Sequence, residues 1–204
     1  MTRLLFSRWR RTSALREPEE PIRAELFSIE RLEQHGESLA LAQRITASPG
    51  RGRPLAVRLR DNSRVLLGAY RAIAAAIREE RAITPAAQWL VDNYHVVEEQ
   101  IREIRADLPD GFYRQLPKLA EGPLVGHPRV FGLAWAFVAH TDSLFDSVAL
   151  GRLVRAYQRV QPLTIGELWA VAITLRIVLV ENLRRAAEGI VSRRTAREEA
   201  DALA

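Results

Sequence analysis

No cysteine occurs among the 204 residues. That absence excludes a disulfide framework, an iron–sulfur cluster, a thiolate zinc site and a cysteine nucleophile, and it suits a reducing compartment. Lysine is almost missing too: of 30 basic residues only Lys118 is not an arginine. Such usage fits a GC-rich genome as well as any binding role and carries no functional weight. No segment of useful length alternates apolar and polar residues, so half-buried strands are not expected. There is no internal repeat. The longest apolar stretch, Leu168 to Val180, spans 13 residues and contains Thr174 and Arg176, whereas a bilayer-crossing helix needs about 20.

What is present is the composition of a soluble globular chain: 48% hydrophobic and 27% charged residues, with a mean hydropathy of -0.12. The length suffices to bury a core without covalent staples. The formal net charge of +5 is confined to one end. Arg3, Arg8, Arg10, Arg11 and Arg16 carry all of it, and residues 1–16 hold no acid. From residue 17 onward 25 basic residues face 25 acidic ones, so no nucleic-acid partner is expected. The basic segment lacks the apolar run and cleavage site of a secretory signal. Leu4, Leu5, Phe6 and Trp9 among its arginines suit an anionic membrane surface, and a solvated, flexible tail is the other reading.

Glu17-Pro18-Glu19-Glu20-Pro21 separates this tail, residues 1–21, from the body. A first helix is expected over about 24–47, with Leu26, Ile29, Leu32, Leu39 and Leu41 as its apolar set and Gly36 as a weak point. Ser48 to Pro54 is a Gly/Pro-rich loop with no preceding strand and no Gly-Lys-Ser/Thr, so it is not a phosphate cradle. A second helix covers about 59–80, where Leu66, Tyr70, Ile73 and Ile77 share one face. Thr84-Pro85 caps a third, whose Leu90, Tyr94, Val97, Ile101, Ile104 and Leu108 form the cleanest amphipathic stripe. Leu108-Pro109-Asp110-Gly111 ends it in a turn. Pro117, Pro123, Gly126 and Pro128 make 112–130 a connector with at most one short helix. Helices follow at about 129–140 and 146–160. The last opens on the capping box Thr164-Ile165-Gly166-Glu167; being apolar all round from Leu168 to Val180, it predicts a buried central helix at 164–190. The charged end, 191–204, is expected to fray. The fold class is therefore all-α, a compact bundle of about six or seven helices forming a single domain over 22–190.

Few residues offer chemistry. Asp92, His95 and Glu99 recur at i, i+3 and i+7 on the third helix and share a face, either a solvated polar surface or one half of a metal site that needs partners from a second helix. His140-Thr141-Asp142 resembles the start of a metal-dependent phosphohydrolase set, but His35, His95 and His127 are too scattered to complete it. The plain alternative is an imidazole at a helix C-terminus. No nucleophile elbow accompanies any Ser, His and Asp set. Arg176, inside an apolar helix, requires a carboxylate from another helix, with Asp92, Glu98 or Glu99 as candidates for a buried ion pair. Trp89, Trp135 and Trp169 could each stack on a sugar ring, although tryptophans in apolar helices are more often core.

Three blocks taken together resemble a known family. The first is Trp89-Leu90-Val91-Asp92-Asn93-Tyr94 through Glu98-Glu99-Gln100-Ile101-Arg102 to Phe112-Tyr113-Arg114-Gln115-Leu116-Pro117. The second is Ala139-His140-Thr141-Asp142. The third joins Tyr157-Gln158 and Pro162 to Ala170 with Glu181-Asn182-Leu183-Arg184-Arg185. Over about 57–190 the chain resembles the N-terminal cytoplasmic region of the cyclic β-1,2-glucan synthases of Gram-negative bacteria. The resemblance implies membership of a large inner-membrane glycosyltransferase that uses UDP-glucose and a divalent metal in parts this sequence does not contain. It also implies a cytoplasmic place at the inner-membrane face. Its partners would be the transferase and membrane domains, or the β-glucan itself. No catalytic residue of that family falls on a position here, so the chain alone is expected to be non-catalytic. Contacts to a partner or glycan would be sought at Asp92, His95, Glu99, Trp89 and Trp169. A stand-alone metal-dependent enzyme and a membrane-surface adaptor are the alternatives.

Overall fold

The computed structural model describes residues 18–46, 54–108, 111–201 and 203. The basic segment holding Arg3, Arg8, Arg10, Arg11 and Arg16, most of the Gly/Pro-rich loop, and Pro109-Asp110 lie outside the described residues. Within them the chain is all-α, as its periodicity predicts. The order is α1 (Ile29–Ala42), β1 (Ile45–Thr46), α2 (Leu55–Arg78), α3 (Pro85–Asp92), α4 (Tyr94–Ala106), α5 (Phe112–Gln115), β2 (Lys118–Leu119), α6 (Arg129–His140), α7 (Ser147–Val160) and α8 (Ile165–Asp201). The two short strands pair antiparallel, Ile45 opposite Leu119 and Thr46 opposite Lys118.

Two packing units make the bundle. In the first, α1 lies against α7. The inward residues of α1 are Leu32, Gly36 and Ala40, one every turn. Gly36 is not the weak point its intrinsic propensity suggests. A Cβ there would stand 2.8 Å from the Leu153 carbonyl oxygen and 3.2 Å from the Ala156 Cβ, so the missing side chain is what lets the helices approach. In the second unit α8 is the hub, packed on α2 and α6 and touched by α3 and α4. Its Ala170, Leu175, Ile177, Val178, Ala187 and Val191 are buried, opposite Leu59, Leu66 and Ile73 of α2 and Phe131 and Phe137 of α6.

Four expectations change. The single third helix is two, broken at Asn93 (φ -106°, ψ 8°), whose side chain donates to the Trp89 carbonyl. Leu90 and Tyr94 remain buried on either side, so the stripe continues across the break and hides it. Residues 18–28 form no helix before Ile29. They run as an extended arm along α6 and α8, with the amides of Ala24 and Phe27 donating to the carbonyls of Ala139 and His140 at the end of α6. Helix α8 is not apolar all round in position: Ile165, Leu168 and Trp169, on its first turns, face solvent. It also runs on to Asp201. Val191 is buried, Arg194 donates to the Ala72 carbonyl, and Arg81, three residues past α2, pairs with Glu198 at 3.1 Å, so the charged end is clasped to α2 and the segment after it. Among the described residues no helix is long and apolar enough to cross a membrane.

Candidate functional site

The capping box predicted at Thr164 forms: the Glu167 amide donates to the Thr164 hydroxyl at 3.2 Å and the Thr164 amide to a Glu167 carboxylate oxygen at 2.9 Å. The same carboxylate does a second job that the sequence does not signal. Arg129, first residue of α6, reaches it through Nε at 2.5 Å and Nη2 at 2.8 Å, and binds the Pro162 carbonyl and Gln161 side chain as well. This pair is almost fully buried, 4% and 0% exposed. Burial alone would raise the Glu167 carboxyl; the Arg129 and Thr164 hydrogen bonds overcome it and hold it below the usual carboxylate range.

At the middle of α8, Glu181-Asn182-Leu183-Arg184-Arg185 forms a second fastening. Arg58 of α2 binds both oxygens of Glu181, which also accepts from Arg185 at 3.0 Å. Burial pushes Glu181 up, and the Arg58 and Arg185 contacts bring it below its ordinary value. Arg184 pairs with Glu19 at 2.7 Å and Glu188 at 2.5 Å, and Arg185 with Glu19 at 3.0 Å. Asn182 accepts from the Ile22 amide at 2.5 Å and donates to Ser143 at 2.7 Å. These contacts anchor the arm.

The anchored arm is one wall of a groove of about 710 Å³, within the roughly 300–1,000 Å³ usual for small-molecule sites. Its other walls are α1 with His35 and Gln43, the 119–124 loop, and α6 with Trp135 and His140. The Arg185 guanidinium lies 4.9 Å from the Trp135 ring centroid, a cation–π contact that holds both at the mouth of the groove. Arg44 and Glu121, 3.5 Å apart and exposed, stand across it. Three rings close one end: His140 stacks on Phe27 at 3.8 Å, and His35 meets His140 edge-on at 4.7 Å. The His140 Nδ1–H donates to the Glu25 carbonyl at 2.7 Å. Burial, then the neighbouring His140, lowers the His35 pKa. The histidines that look scattered in sequence therefore meet in part. Among the described residues their contacts are rings and a carbonyl, with no carboxylate.

The sequence-derived candidates stand elsewhere. Asp92, His95 and Glu99 are exposed, Asp92 on α3 and the other two beyond the Asn93 break; Asp92 accepts from Gln88 at 2.7 Å. Among the described residues no three His, Asp or Glu side chains converge as a metal would need. Trp89 is 55% and Trp169 78% exposed, near different stretches of α8. Arg176 does take carboxylates from another helix, but one or two turns further along than the candidates. Glu103 lies at 2.6 Å and Asp107 at 3.3 Å, with the Gln100 side chain at 3.0 Å. The arginine is 28% exposed, half-buried rather than enclosed. Trp135 is the one tryptophan of the three at the groove, and its signal, an aromatic in a buried helix, is shared with ordinary core residues.

No family model matches the chain. Over an alignment of 198 positions that covers 93% of the chain, it is 43% identical to the cyclic beta-(1,2)-glucan synthase NdvB of Rhizobium meliloti (strain 1021), of which the matched part makes up 7%. The chain thus spans a small fraction of that relative's length. The blocks that carried the resemblance are, in the structure, largely its fastenings: Glu167 in the α6–α8 pair, Glu181 to Arg185 in the arm anchor, His140 in the ring cluster. By sequence, this helical chain is homologous to a stretch of a cyclic β-(1,2)-glucan synthase.

Proposed function

We propose that this chain is a non-catalytic helical module of a cyclic β-1,2-glucan synthase and holds a segment of glucan in the groove between the arm, α1 and α6. The observation that supports this most is the groove's chemistry. A tryptophan wall is flanked by planar polar side chains, Arg44, Glu121, Gln43 and Arg185, as sugar hydroxyls and ring faces require. Nucleotide-sugar binding, the divalent metal and glycosyl transfer would then belong to other parts of a synthase.

Titration calorimetry with β-1,2-linked glucan oligosaccharides tests the proposal. Arg44→Ala with Glu121→Ala, both exposed, is expected to weaken binding about tenfold, the equivalent of roughly 1.4 kcal/mol. Equal heats from the variant, or none from the native chain, remove it.

A second reading, scaffolding of the transferase domain, is favoured by one observation. Ile165, Leu168 and Trp169 form an exposed apolar cluster at the start of α8, the kind of surface that marks a protein interface. Trp169→Ala would then weaken association with the transferase domain in sedimentation, while leaving glucan binding intact. The membrane contact suggested for Arg3, Arg8, Arg10 and Arg11, and with it a place at the inner-membrane face, is tested by liposome sedimentation with and without residues 1–16. Equal partitioning of the two removes it.

A further inference from the structure

At the other end of α8 lies a second concavity, independent of the groove. A trough of about 640 Å³ opens between the end of α2, the 81–87 segment and the last three turns of α8. Its floor is apolar: Ile73, Ile83, Ala87, Ile190 and Val191. Its rim is basic, with Arg81, Arg193, Arg194 and Arg197 against Glu198 and Asp201. Glu198 is already engaged by Arg81 at 3.1 Å and Arg194 at 3.3 Å, and Arg81 also pairs with Glu79. Arg193 and Arg197 are exposed and have no carboxylate partner among the described residues. Ala86 and Ile190 continue from the trough into a smaller, almost wholly apolar hollow that ends on exposed Trp89, beside Leu90, Leu183 and Ala186.

The arginines therefore stand at one end of an apolar track that begins beneath them, at Ile190 and Val191, and runs on past them into a hollow with no charged lining. The arginines lie toward Asp201 and the apolar hollow toward Leu183. On a helix that rises 1.5 Å per residue, the distance from Leu183 to Arg197 is about 21 Å. An acidic amphipathic peptide helix divides its charge and its apolar residues between opposite sides, not between its two ends. A molecule with an anionic head and a single apolar tail divides them end to end. The chain's own residues 1–16, with five arginines and no acid, carry the wrong sign for the rim.

We infer that this trough binds a single-chain anionic amphiphile, its phosphate or carboxylate head on Arg193 and Arg197 and its chain running over Ala86 and Ile190 to Trp89. An anion between two guanidinium groups makes charge-assisted hydrogen bonds, and the chain removes apolar surface from water. Trp89, whose ring is exposed without reason in the isolated fold, becomes the cover of the tail.

The test uses the full chain and dodecyl phosphate below its micellar concentration, followed by titration calorimetry. Butyl phosphate supplies the head without the tail, and dodecyl maltoside the tail without the charge. Dodecyl phosphate is expected to bind at least about tenfold more tightly than either. Arg193→Glu with Arg197→Glu, and separately Ala86→Trp, should each lower its affinity about tenfold. All three positions are solvent-exposed, and circular dichroism confirms that the variants fold. Dodecyl phosphate binding no better than dodecyl maltoside, or unchanged in both variants, overturns the inference. So does binding of an acidic amphipathic peptide that dodecyl phosphate fails to displace. Loss of glucan binding with this site intact would count against the groove alone.

Discussion

Glu167 and Glu181 sit on α8 with almost no contact with water, whereas Asp92, Glu98 and Glu99 stand on α3 and α4 in open solvent. All five are carboxylates on arginine-rich helices, yet they do different work. In the first pair burial makes the charge expensive, and bidentate arginines from α6 and α2 offset that cost through geometry. In the second group water screens the charge, and pairing is worth little. The buried pair therefore determines which helices meet and in what register, while the exposed set is free to vary or to meet a partner. A carboxylate near an arginine in sequence says nothing about which of these roles it has.

The comparison can be broken most sharply at Glu167. Glu167→Ala leaves Arg129 buried without its carboxylate partner and removes the carboxylate half of the α8 capping box; a loss of about 3–5 kcal/mol in urea unfolding is expected. Glu181→Ala, which strands Arg58 while Arg185 keeps Glu19, should cost somewhat less. Replacing both members, Arg129→Met with Glu167→Leu, should recover much of the loss. If the single and double variants are equally unstable, the pair is not the cause.

Acid is the next lever. Glu167 and Glu181 are held below the usual carboxylate range, so their contribution is complete above it and is lost as pH falls through and below it. His35 and His127 are lowered from 6.5, chiefly by burial. They stay neutral in the fold where the unfolded chain takes up protons, so they remove stability as pH falls below about 6.5. Urea midpoints should thus decline in two stages, one below about 6.5 and a steeper one below the carboxylate range. A midpoint constant from pH 7 to pH 3 would contradict both assignments.

A smaller effect is expected at Gly36. Alanine gains up to about 1 kcal/mol in helix propensity, but its Cβ would press on the Leu153 backbone, and overpacking of this kind costs about 1–3 kcal/mol. Gly36→Ala should therefore destabilise by about 1 kcal/mol, measurable by chemical denaturation. A stabilised variant would show that α1 and α7 can part without cost. Smallest of all, Asp92→Ala and Glu99→Ala should each change stability by less than about 0.5 kcal/mol. A larger loss from either would remove the contrast between the two groups.

Much of the helical frame was legible. The limits of α6 follow from Pro128 before it and Thr141-Asp142-Ser143 after it, and α8 begins at its capping box. These are local signals, written within four residues of the places they mark. What depends on how one helix lies on another was not legible. Arg176 announces that it needs a carboxylate from another helix, but only the register of α4 on α8 selects Glu103 and Asp107 over Glu98 or Glu99. Gly36 reads as a flaw until α7 is placed beside it. The extension of α8 past 190 depends on Arg81 and Ala72, more than a hundred residues away in sequence. The groove shares that origin: Glu19, His35, Trp135 and Arg185 come from four separate stretches, and no spacing rule joins them.

The arm that walls the groove is tied to α8 by a bond between residues 160 positions apart, Ile22 and Asn182. Contacts so distant in sequence close late, because the intervening loop must first lose its freedom. A ribosome therefore releases α1 through α7 with the pocket's outer side held only at the end of α6, by Ala24 and Phe27, and the cleft takes its final shape only when Asn182 has emerged.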